Sequence, residues 1–140
     1  MNKLLLVIAV LGLAVSGYLL FAYQTTGPMV CLSEHGCEAV RASRFAVIFG
    51  LPVPLYGVLY YFGLGVLAAL WNPAEARRLR LPLRAVTGAG VAGSMWLTYL
   101  EAFVIKAWCS WCVISAVLAV MAFLLVWGKL YATYSYGDNK

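Results

Sequence analysis

Residues 111–130 read WCVISAVLAVMAFLLVWGKL, and the four residues Cys109-Ser110-Trp111-Cys112 open that run. Twenty residues with a single charge, Lys129, match the length of a helix that crosses a bilayer, about 20 residues. A CxxC pair at the mouth of such a helix places two thiols where lipid meets water.

Working outward, three further apolar stretches of spanning length appear, at 4–23, 52–71 and 83–105. The whole chain of 140 residues is 64% hydrophobic and 11% charged, whereas a soluble domain is about half apolar and a quarter charged. Its mean hydropathy is +0.90. Lipid is therefore the expected solvent. Backbone amides in lipid must be satisfied within their own segment, so each stretch is predicted to be a helix. The expected fold is an all-α membrane protein, a four-transmembrane-helix bundle forming one domain over residues 1–140. Glycines inside the spans, among them Gly12, Gly57 and Gly90, suit close helix contacts. Met1-Asn2-Lys3 before an apolar run resembles a signal peptide, but the run continues through Tyr18-Leu19-Leu20-Phe21-Ala22 and gives a full span.

The net charge of +5 does not point to nucleic acid. Arg77, Arg78, Arg80 and Arg84 fall in one short polar segment, predicted as a loop, between spans two and three. With Lys3, Lys129 and Lys140 they put seven cations on one side, against Arg41, Arg44 and Lys106 on the other. The positive side faces the cytoplasm, so both termini are expected there, in a multi-pass cell membrane protein. All four cysteines then lie at the outer, oxidising face, where disulfides form and persist.

The second cysteine pair, Cys31 and Cys37, sits in the outer loop 24–51. Five intervening residues can close a small disulfide loop. Residues 38–49 read as a short interfacial helix, with Ala42, Phe45, Ala46 and Phe49 on one stripe. A bland reading makes this pair a static staple. Two pairs on one face favour a relay by dithiol–disulfide exchange instead. His35 between the cysteines raises zinc, but the outer face would oxidise the thiolates and the spacings do not resemble a zinc ribbon, so no metal is expected. Cys109 and Cys112 are expected in the first turn of the fourth helix, where the helix dipole favours a thiolate. Cys109 is expected to stand further out, reachable by another protein segment. Cys112, one turn deeper, is expected to meet a lipid-soluble acceptor.

These motifs resemble prokaryotic vitamin K epoxide reductase homologues, membrane enzymes that act as quinone-linked oxidants for disulfide formation. The resemblance runs from Leu4 to about Lys129. It rests on Cys31-x5-Cys37, on Ser43 six residues later followed by Arg44, on Gly50-Leu51-Pro52 leading into span two, and on Cys109-Ser110-Trp111-Cys112. The order of the pairs separates it from the DsbB type, whose CxxC lies in the first outer loop. The resemblance implies a bundle around a quinone, ubiquinone or menaquinone or a relative, with Cys112 facing it. It implies a transient Cys37–Cys109 disulfide and attack on Cys31 by a thioredoxin-like, DsbA-like thiol protein. That partner is expected to be separate, since no such domain is attached before Lys140. Ser43 is implied near the redox centre. Phe45, Phe49, Trp96, Tyr99, Trp108 and Trp111 could wall the quinone site, with Arg44 beside it, or form an interfacial aromatic belt. Glu101, about two turns before the CxxC, could handle protons or pair with a cation.

The sequence departs from the animal enzymes in two places. Residues 49–56 hold no asparagine, and Ala116 stands where they carry a tyrosine. Quinone reduction is therefore expected over epoxide reduction. A reductant carrier would need cysteines on the inner side. A non-enzymatic four-span scaffold with two structural disulfides is the remaining alternative.

Overall fold

The computed structural model describes residues 2–25, 27–28, 30–31, 36–72 and 74–137. His35 and Lys140 lie outside the described residues, as do the side chains of Lys129, Tyr131, Tyr134 and Tyr136. Four long helices make the body: α1 (Asn2–Gln24), α3 (Val53–Ala69), α4 (Ala76–Tyr99) and α5 (Ser110–Gly137). The short helix α2 (Gly36–Ala42) follows the first of them. α1 lies along α3 and α4 lies along α5, while α1–α5 and α3–α4 contacts close the ring.

Among the described residues, the segments Lys3–Gln24, Arg77–Ile105 and Ser110–Gly128 are long and apolar enough to cross a membrane. α3 is apolar too, but its 17 residues extend about 26 Å, slightly less than a hydrocarbon core of about 30 Å. Large apolar side chains face outward on every long helix, including Val10, Phe21, Leu59, Phe62, Met95 and Leu124. An exposed apolar surface on this scale is what lipid covers.

The end of the bundle away from the cysteines is solid. Leu5, Ile8, Leu64, Ala68, Leu83 and Val126 are almost completely buried against one another. Higher up, the Tyr61 ring lies against Gly12 of α1, where a Cβ would overlap it. The Tyr61 hydroxyl donates to the Ser115 carbonyl of α5 at 2.7 Å. One side chain thus ties three helices together.

Two expectations are corrected here. The arginines do not form a loop. α4 begins at Ala76, so Arg77, Arg78, Arg80 and Arg84 occupy its first turns. Arginine and leucine are good helix formers, and that preference prevails over the polar composition. Pro82 stands inside the helix and forgoes one backbone bond. The short helix of the first loop also ends earlier than the expected 38–49. It stops at Ala42, because Ser43 turns extended (φ −73°, ψ 155°) and its hydroxyl donates back to the Val40 carbonyl at 2.7 Å. A single 3-10 turn, Arg44–Ala46, leads into a minimal antiparallel hairpin, β1 (Val47–Ile48) with β2 (Leu51–Pro52). Phe49 and Gly50 form its two-residue turn with φ of 53° and 79°. Positive φ at both positions is what a tight hairpin of matching twist requires, and it breaks the supposed helical stripe.

Candidate active site

The polypeptide places all four cysteines at one end of the bundle. Cys31 and Cys37 are joined as a disulfide with a Cα–Cα distance of 6.1 Å. Cys109 and Cys112 are free thiols. Cys37, Val40 and Cys109 form one buried cluster, with Cys31, Ile105, Trp111 and Cys112 packed against it. The Cys31 sulfur lies 3.6 Å from the Ser110 hydroxyl, inside the CxxC itself.

Two sets of contacts, one around Val30 and one around Arg41, hold the Cys31–Cys37 pair over the CxxC. The Val30 amide donates to the Tyr18 hydroxyl at 3.2 Å, and the Trp111 indole donates to the Val30 carbonyl at 2.6 Å. The two rings pack with centroids 4.8 Å apart. The Arg41 guanidinium of α2 donates to the carbonyls of Ala22, Thr25 and Gly27 at 3.0 to 3.3 Å, and pairs with Glu38 at 2.5 Å. It caps the unsatisfied carbonyl end of α1 and clips α2 to that helix.

The CxxC is shaped by the residues before it. After α4, residues Leu100–Ile105 wind into a wider π-helical turn, which ends at Lys106 in a left-handed conformation (φ 56°). The Ala107 amide donates back to the Glu101 carbonyl at 3.1 Å. Such widened turns gather at functional sites. Here the turn carries the Glu101 side chain inward, 4% exposed, and its carboxylate accepts the Cys109 amide at 3.4 Å. The Cys109 carbonyl accepts the Val113 amide at 3.0 Å, starting α5. The Cys112 thiol has hydrogen-bond acceptors in both the Cys109 sulfur and the Glu101 carboxyl. The bond from Cys112 holds the Cys109 thiol below the usual thiol range, against the opposing effects of burial and of the Glu101 charge.

Cys112 and Glu101 also face an open cavity of about 380 Å³ enclosed by the long helices. That is within the usual size of a small-molecule site. Tyr23, Tyr60, Tyr61 and Ser115 add polar groups to an otherwise apolar wall. The Tyr60 hydroxyl is buried with no hydrogen-bond partner, and its ring fits against Gly90, where a Cβ would collide with it. A smaller crevice of about 30 Å³, beside Ser43, Phe45 and Val40, also reaches Glu101 and Cys112.

The profile of the Vitamin K epoxide reductase family matches residues 3–127. The chain belongs to that family. Its members are oxidoreductases of membrane disulfide and quinone chemistry.

Not every residue singled out from the sequence stands at this family's redox centre in the present chain. The four cysteines converge, and Ser43 lines the small crevice next to Cys112. Trp111 does not line the cavity; it holds the Cys31 loop instead. Phe49 is 96% exposed at the hairpin tip, because its left-handed turn points it away from the bundle. Arg44 is exposed and lies over the Phe45 ring at 5.0 Å. Trp96 and Tyr99 stack with Phe103 on the outer surface of α4, an arrangement that fits an interfacial belt. Cys109 is 1% exposed, not outermost, because α2 covers it. Tyr60 and Ser110 were missed. Tyr60 carried a usable signal, since a phenol in a lipid-spanning run needs a partner for its hydroxyl. Ser110 carried none beyond lying inside the CxxC.

Proposed function

We propose that this protein is a membrane thiol–disulfide oxidoreductase that oxidises a thioredoxin-like thiol protein at the outer face and passes the electrons to a membrane quinone. The carrying observation is the two-sided placement of the CxxC. Cys109 is packed against Cys37, whereas Cys112 opens onto the apolar cavity. α3 completes a four-span topology with both termini in the cytoplasm, its small length deficit being met by modest thinning of the bilayer.

In this reading a reduced partner attacks Cys31 and releases Cys37. With the CxxC oxidised, Cys37 attacks Cys109 of the Cys109–Cys112 disulfide, which breaks that bond and leaves Cys112 as the thiolate. Each exchange needs a thiolate and a short path. The Trp111–Val30–Tyr18 contacts hold Cys31 beside Ser110, and Arg41 holds Cys37 beside Cys109. A bound quinone supplies the two-electron acceptor. The residues fit it: the cavity is apolar, and the unpartnered Tyr60 hydroxyl is a donor suited to a carbonyl oxygen.

The test uses purified protein in detergent, a reduced thioredoxin-like partner, and ubiquinone or menaquinone. Quinone absorbance is followed for wild type and Cys112→Ala. Quinone-dependent oxidation of the partner that vanishes in the variant supports the relay. No turnover with either quinone, both cysteine pairs staying oxidised throughout, supports the scaffold alternative.

A further inference from the structure

Glu101 is the one buried acidic side chain among the described residues. A carboxyl group inside a membrane protein is costly and marks a functional position. Its surroundings do not neutralise it. Among the described residues no ion pair reaches it, since the nearby cation on α2, Arg41, is engaged by Glu38 and the carbonyls that end α1. Lys106 is exposed on the far side of the turn. The titratable groups that share its space are Cys109 and Cys112 from α5 and Tyr23 from α1. It accepts the Cys109 amide, and together with Cys112 it lines both the cavity and the crevice.

Resting on the relay proposed above, we infer that Glu101 is the proton acceptor for the Cys112 thiol and the donor that returns this proton to the cavity. Oxidation of the CxxC breaks two S–H bonds and forms one S–S bond between Cys109 and Cys112. Two electrons go to the quinone and two protons must follow. Glu101 is the one acidic side chain that lines the cavity beside Cys112. The Cys112 proton passes to the Glu101 carboxylate, is held on its oxygen, and is delivered to the quinone oxygen nearest the carboxyl. The Cys109 proton leaves to the outer aqueous phase, and the second quinone oxygen draws its proton from that phase. The Cys109 amide, bound to Glu101, keeps the carboxyl aimed at the pair in both redox states.

The experiment has two readouts. Full-length protein in detergent is cycled between dithiol and disulfide with small thiol and disulfide reagents, without quinone, and followed by infrared difference spectroscopy. A protonated-carboxyl band that changes with redox state is expected in wild type and in Glu38→Gln, and is lost in Glu101→Gln. Isotope labelling of glutamate carboxyl carbons in wild type makes the same assignment without any substitution, should the variant fail to fold. A redox-linked band that does not shift on labelling, or no such band, overturns the inference. The second readout is a single turnover of pre-reduced protein with a quinone. Glu101→Gln should slow it about 100-fold or more, the usual scale of general acid–base assistance, with quinone affinity unchanged. A wild-type rate in that variant overturns the inference. If wild type reduces no quinone while the labelled band still tracks the thiols, the quinone reading falls and the Glu101–Cys112 exchange stands.

Discussion

The two ends of the bundle are built from the same four helices and differ in kind. At the end away from the cysteines, Leu5, Ile8, Leu64, Ala68, Leu83 and Val126 are almost completely buried against one another. At the cysteine end, Gly57 of α3 admits Ser16 of α1 and Gly90 of α4 admits Tyr60 of α3, and the helices enclose a cavity of about 380 Å³. Packing that is complete at one end allows the other to stay hollow. The comparison teaches that stability and chemistry occupy separate floors, so substitutions on one should leave the other almost untouched.

The sharpest way to break that separation is Cys112→Ala. Turnover should fall to background, while the thermal midpoint in detergent stays near wild type. A large drop in the midpoint would make Cys112 part of the scaffold. Leu83→Ala is the converse. Removing a fully buried leucine should cost about 2–5 kcal/mol and lower the midpoint clearly, with turnover per folded molecule preserved. Activity lost in proportion to stability would sink the two-floor view. Tyr60→Phe removes a buried hydroxyl that has no hydrogen-bond partner among the described residues. Stability should hold or rise slightly, and the KM for quinone should rise roughly fivefold, as for one hydrogen bond of about 1 kcal/mol. An unchanged KM would separate this hydroxyl from the acceptor.

The smallest effect concerns pH. A hydrogen bond from Cys112 stabilises the Cys109 thiolate and lowers its pKa. Thiolate absorbance of reduced protein should therefore rise at a lower pH than for an ordinary thiol, which titrates near about 8.5. Cys112→Ala removes the donor, so the Cys109 titration should move upward. A shift in the opposite direction would mean that burial and the Glu101 charge dominate the site.

Much of this was legible in the sequence, because membranes impose a blunt code. Long apolar runs marked α1, α4 and α5, and the two cysteine pairs marked the end of the bundle where all four cysteines meet. The errors arose where short-range geometry overrode composition. Ala42, Phe45, Ala46 and Phe49 mimicked a helical stripe, yet the β-branched pair Val47-Ile48 and the following Gly50 suited a hairpin. The arginines of α4 looked like a loop because polarity was read ahead of helix propensity. Trp96 and Tyr99 were aromatic and close in sequence to the cysteines, but the helical period turns them outward. The idle Tyr60 hydroxyl becomes visible only when the helices are assembled around it.

The cover that α2 places over Cys109 has an electrical consequence. A conductor is useful only if current cannot leave along its length. Cys109, 1% exposed beneath Cys37 and Val40, is shielded from direct contact with the surrounding water. In the proposed relay, electrons entering at Cys31 would meet insulation on every side except the one that leads to Cys109. Arg41, by clipping α2 to the end of α1, is the fastening that keeps the sleeve on the wire.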